Sequence, residues 1–176
     1  MSAAAGQNIG QEFHVAETFL KDGARTEDIL EEMAETGLFE RRAKFRVFGD
    51  ATGRNRDTRS KKSDYDIIET FLSRFRRKDN TRLNFEICVP KANPPVRTRH
   101  NKLNAKFCNY QNAPHLFVYK DADDANAGFQ LTKLKKTAKY EEDDRLREQH
   151  VTTAIGYWVM EIIKKNARGN SRTIQL

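Results

Sequence analysis

Cysteine is scarce in this chain, which carries only Cys88 and Cys108. Two thiols exclude a disulfide framework, and the absence of a Cys-x-x-Cys spacing removes the usual zinc signature. Cys88 falls within an apolar alternation and reads as a buried, reduced thiol, which fits a cytoplasmic compartment. No apolar run approaches the length of a membrane span, so no membrane partner is expected. Residues Met1-Ser2-Ala3-Ala4-Ala5-Gly6 show neither the basic nor the apolar region of a signal peptide. Internal repeats and a domain linker are also missing.

What the chain does have is charge and phenylalanine. Lysine and arginine number 32 against 25 acids, a net charge of +7. Such a surface attracts polyanions, although many basic proteins never bind nucleic acid. Eleven Phe, with a set of Ile, Leu and Val, supply a core for one domain in 176 residues.

Residues 1–10 are small and polar and read as a flexible start, residues 11–165 as the domain, and 166–176 as a basic flexible tail. Phe13, Val15 and Phe19 alternate as a strand. Thr26 opens a helix that Gly37 closes, with Glu27 and Asp28 at its positive end. Lys44–Phe48 is a strand, Ala51–Lys62 a polar loop, and Ser63 caps a helix striped by Ile67, Ile68, Phe71, Leu72 and Phe75. Leu83, Phe85, Ile87 and Val89 alternate as a strand that Pro90 stops. A helix from about Val96, a strand at Leu116–Tyr119 and a loop at Asp121–Gly128 follow. Val151, Ile155, Trp158, Val159 and Ile162 repeat at helical spacing within about 145–165. This alternation predicts a layered α/β domain with a mainly parallel sheet.

Asp50 is the leading candidate for chemistry. It ends a strand in a Gly-flanked turn, where α/β folds place their sites. Its carboxylate suits Mg²⁺ or Mn²⁺, which prefer oxygen ligands; it equally suits the capping of a turn. The following loop carries Arg54, Arg56, Arg59, Lys61 and Lys62, a pattern for sequence-independent phosphate contacts or for a solvated loop. After Asn93-Pro94-Pro95, Arg97, Arg99 and Asn101 sit at a helix start, whose N–H groups favour anions. Glu141-Glu142-Asp143-Asp144 precedes the last helix and His150. Either Asp144 caps that helix and His150 is a half-buried neutral ring, or the acids and His150 complete a metal site with Asp50.

Five motifs occur in order: Arg25-Thr26-Glu27-Asp28, Phe48-Gly49-Asp50-Ala51-Thr52-Gly53-Arg54, Ser63-Asp64-Tyr65-Asp66-Ile67-Ile68, Asn93-Pro94-Pro95-Val96-Arg97 and His150-Val151-Thr152-Thr153-Ala154-Ile155-Gly156-Tyr157. Together, from about Phe13 to Ile163, they resemble the C-terminal nuclease domain of the large terminase subunit of tailed bacteriophages. The resemblance implies an RNase H-like fold and a metal-dependent endonuclease that cuts concatemeric double-stranded DNA during packaging. Hydrolysis would follow the two-metal pattern with Mg²⁺ or Mn²⁺. It further implies a packaging ATPase, the small terminase subunit and the portal as partners, in the host cytoplasm. Within it, Asp50 resembles the acid at the end of the second functional strand, and His150 a histidine near the metal centre.

The chain departs from the family at two points. The first acid, set in a Gly-x-Asp-Phe-Asn-like context, has only an echo in Gly10-Gln11-Glu12-Phe13-His14. The third acid's position holds Thr153, a poor ligand for a hard cation, which brings forward Asp143 and Asp144 as replacements. No Gly-x-x-x-x-Gly-Lys-Ser/Thr loop is present, so the ATPase motor is not in this chain. The competing expectation is a catalytically incomplete module that binds DNA or docks on packaging proteins.

Overall fold

The computed structural model describes residues 1–55, 61–108, 113–133, 135, 142 and 145–170, with side chains given through Asn166. It is a mixed α/β protein: β1 (Ser2–Ile9), β2 (Glu12–Leu20), α1 (Thr26–Glu35), β3 (Lys44–Val47), α2 (Asp64–Arg74), β4 (Asn84–Ile87), α3 (Val96–Phe107), β5 (Leu116–Val118), α4 (Asp123–Leu131) and α5 (Gln149–Asn170). The chain divides into two compact units. The first comprises Met1–Ala3 and Phe19–Asn93; the second comprises Ala4–Thr18 and the chain from Pro94 onward. None of the described helices is long and apolar enough to cross a membrane.

The expected single sheet is two sheets. One has the order β1-β2-β5 and the other pairs β3 with β4. Both β2–β5 and β3–β4 are parallel.

In the first unit, β3 and β4 meet in the register Phe45↔Phe85 and Val47↔Ile87. Alternation places these four on one face, and leaves Lys44, Arg46, Asn84 and Glu86 on the other. On the polar face Glu86 pairs with Lys44 at 3.0 Å and Arg46 at 3.6 Å. On the apolar side Phe39 meets Phe45, Phe71 and Phe75, with ring centroids 5.4–6.1 Å apart. Ser63 caps α2: its hydroxyl accepts from the Asp66 amide while the Asp66 carboxylate accepts from the Ser63 amide.

In the second unit, β2 and β5 pair Phe13 with Leu116 and Val15 with Val118. Phe13 and Val15 are 1% and 0% exposed, and on α5 Val151, Ile155, Trp158, Val159 and Ile162 are buried, as its spacing predicts. The Trp158 indole packs edge-on against Phe13, and its N–H donates to Asn8 at 2.9 Å.

Three expectations are overturned. The flexible start at 1–10 is β1, joined to β2 through Gly10 with φ of 60°. Its Ala and Gly residues carry no apolar alternation to announce it. Gly6 has to be small, since a Cβ there would run into the His14 carbonyl and the Trp158 ring. The loop at Asp121–Gly128 is largely α4. Asp123 and Asp124 favour a helix N-terminus, and Ala125 and Gly128 are buried. The flexible tail from 166 begins as helix, since α5 continues to Asn170; 171–176 lie outside the described residues.

At Gly128 a Cβ would sit 2.6 Å from the Glu148 carbonyl oxygen and 2.6 Å from the Thr152 methyl. Gly128→Ala is therefore expected to cost about 1–3 kcal/mol by overpacking, measurable by urea unfolding.

Candidate functional site

β3 delivers Phe48-Gly49-Asp50 into a short 3-10 turn over Ala51–Arg54, of which Asp50 is the cap. One carboxylate oxygen, Oδ1, accepts from the Thr52 amide at 2.6 Å, the Thr52 hydroxyl at 2.7 Å and the Asn93 side-chain amide at 2.7 Å. Asn93 in turn accepts the Ala51 amide at 2.8 Å, so its side chain clasps the turn from both sides. The Tyr65 hydroxyl donates to the Asp50 carbonyl at 2.7 Å.

That tyrosine explains both glycines of the turn. A Cβ at Gly49 would lie 2.5 Å from its hydroxyl, and one at Gly53 would lie 3.0 Å from its ring. Arg54 places its guanidinium 5.9 Å from the Tyr65 ring centre and donates to the Val89 carbonyl at 3.0 Å. Next to α2's capping box, Thr26 donates to the Asp64 carboxylate at 2.7 Å. A polar depression of about 510 Å³ lies alongside, lined by Arg54, Ser63, Tyr65, Asp66, Glu69, Phe85 and Ile87.

Of the predicted phosphate-binding residues of this loop, Arg54, Lys61 and Lys62 are exposed, and Lys61 adopts φ of 55°. Arg56 and Arg59 lie outside the described residues.

The second unit holds the other predicted residues. Arg97 and Asn101 are exposed on α3. Arg99 is not: it is 3% exposed, and its guanidinium binds the Glu142 carboxylate, donates to the Thr153 hydroxyl at 3.4 Å and lies 5.0 Å from the Tyr157 ring centre. Gly156 makes room for it, since a Cβ there would sit 2.7 Å from the Arg99 Cδ. A buried, paired guanidinium is not a phosphate contact, so the expected role of Arg99 does not fit its place.

The partner carboxylate, Glu142, also accepts from the His100 ring at 2.6 Å and from the Thr153 hydroxyl at 3.3 Å to each oxygen. Burial, the largest influence on this carboxyl, pushes its pKa up. The hydrogen bonds and charge of His100 and Arg99 outweigh burial and hold it below the ordinary 4.5. Sequence reasoning singled out the acidic run but favoured Asp143 and Asp144, both outside the described residues. The signal for Arg99 was available: it stands four residues before buried Leu103, on the same helical face.

His150 is exposed, with its Nδ1 3.3 Å from the Gln149 side-chain amide. It belongs to the second unit, while Asp50 belongs to the first.

A site for Mg²⁺ or Mn²⁺ requires several oxygen donors directed at one point. Among the described residues no group of three or more His, Cys, Asp or Glu side chains is so placed. The Asp50 oxygen Oδ1 already accepts three hydrogen bonds, and Glu142 faces an arginine and a histidine. No protein-family model, curated protein or solved structure matches this chain.

Proposed function

We propose that this chain is a DNA-holding module of the terminase-nuclease type, in which Asp50 organises a basic loop that grips duplex phosphates. The observation that carries this reading is the junction of Asn93, Asp50 and Tyr65. Three of the five motifs, far apart in sequence, meet there on one residue. A fourth is tied in through Thr26 and Asp64. An RNase H-like fold, viral DNA packaging in the host cytoplasm, and an ATPase, small subunit and portal as partners belong to the same proposal.

Chemically, the arrangement supplies positioning. The Asp50 carboxylate fixes the turn from which Arg54 projects, and exposed Lys61 and Lys62 add point charges for sequence-independent contacts. A second reading, a metal-dependent endonuclease, is favoured by one feature: Asp50 stands at the C-terminal end of a parallel strand, where α/β folds concentrate catalysis.

Binding of a duplex to the full chain, followed across salt, separates these readings. About four phosphate contacts would lower affinity by roughly a hundredfold between 50 and 200 mM salt. Asp50→Asn keeps an acceptor for Thr52 and is expected to bind like wild type. Asp50→Ala frees the turn and is expected to lose about tenfold, the equivalent of one strong hydrogen bond. Salt-insensitive binding would overturn the proposal. Plasmid nicking with Mg²⁺ or Mn²⁺ that both Asp50 variants abolish would establish the endonuclease instead, and Asp144→Ala would then show whether that residue takes part.

A further inference from the structure

The helix α2 has more apolar surface than its core contacts use. Leu72 is 2% exposed and serves the core. Ile67, Phe71 and Phe75 follow one another at intervals of four residues, and all three are only half-buried. The inner edges of Phe71 and Phe75 meet Phe39. Their outer edges, with Ile67 and Thr70, line an open groove of about 410 Å³. Glu27 of α1 contributes to its wall, and two exposed cations flank the stripe: Lys62 just before α2 and Arg74 in its last turn.

This pattern specifies a ligand. Residues eight apart on a helix span about 12 Å, so the stripe presents two turns of apolar surface. Apolar side chains at i and i+4 on a second helix match that periodicity. The rim carries two positive charges against one negative charge, which selects acids at the ends of the incoming segment. A DNA backbone is a poorer match, because the floor is hydrocarbon and Glu27 would face the phosphates.

We propose that this groove docks an amphipathic helix of a partner protein, with an apolar stripe at i, i+4 and i+8 and acidic residues flanking it. The groove's apolar floor is separate from the Asp50 turn, its rim shares Lys62 with the basic loop, and the inference does not rest on the DNA-holding reading.

The test uses the full chain and two labelled helical probe peptides of about 18 residues. Both carry Leu at i, i+4 and i+8; one has Glu at both ends and the other Lys. Fluorescence anisotropy is expected to show saturable binding of the Glu-flanked peptide, about tenfold tighter than the Lys-flanked one at low salt. That preference shrinks as salt is added. Lys62→Glu with Arg74→Glu, both at exposed positions, is expected to reverse the preference. Ile67→Ser is expected to weaken both peptides, with thermal unfolding by circular dichroism confirming that each variant folds. Absence of saturable binding, or equal binding of the two peptides, overturns the proposal. So does displacement of the probe by duplex DNA with no effect of Ile67→Ser. Self-association of the chain that Ile67→Ser abolishes would also overturn it, by assigning the groove to a second copy.

Discussion

Arg99→Ala is expected to lower stability by about 3–5 kcal/mol, because it leaves the Glu142 carboxylate in its buried pocket without its strongest partner. For a chain of this length that corresponds to a fall in melting temperature of about 6–20 °C. Arg99→Lys would keep the charge but lose the planar stacking on Tyr157, and is expected to recover only part of the loss. The pH dependence has a definite sign. Since the folded protein holds the Glu142 carboxyl below its ordinary 4.5, the stabilisation is fully present above that value and fades as pH falls through the lower, folded one. Melting curves of wild type and Glu142→Gln are therefore expected to differ at neutral pH and to converge in acid. A constant difference down to about pH 2 would show that the Glu142 charge contributes nothing to stability.

The second large effect is expected from Phe13→Ala. Phe13 is 1% exposed, packs edge-on against Trp158 at 5.3 Å, and has the Lys106 ammonium 5.4 Å from its ring centre. Removing the ring creates a cavity between β2 and α5 at a cost of about 3–5 kcal/mol. Burial holds the Lys106 pKa below its ordinary 10.5, so admitting water there is expected to raise it. Chemical denaturation measures the first consequence and a titration followed by NMR the second. A loss below about 1 kcal/mol would mean that the site collapses around the missing ring.

These residues also show where sequence was a sufficient guide. Phe13 and Val15 alternate, and Val151, Ile155 and Val159 repeat, because each set faces a single apolar layer; periodicity reports that kind of burial directly. Asp50 was legible as a turn residue since its short carboxylate acts two residues ahead, on Thr52. Its bond to Asn93 lies 43 residues away and has no local signature. The same holds for Arg99 and Glu142, also 43 apart. A lone arginine in a polar helix looks solvated until its counter-charge is located. Helix α4 has no local announcement because its first six residues are Asp, Ala, Asn and Gly, which resemble a loop in composition; it is held by close packing of Gly128 against the start of α5. The division into two units left no trace either, since the chain passes between them within strands and at Asn93-Pro94, never through a linker.

The hairpin β1–β2 has a consequence for how the molecule is made. Asn8 is bonded to Trp158 across 150 residues of chain, and Phe13 waits for the same indole. During synthesis these residues have no permanent neighbours until α5 emerges, and closing so long a loop is slow. Phe19–Asn93, by contrast, is continuous and complete much earlier. Phe19–Asn93 thus has time to fold while β2 and α5 are still searching for each other. In that interval, bare β2, with Phe13 and Val15 uncovered, is the stretch most in need of a chaperone.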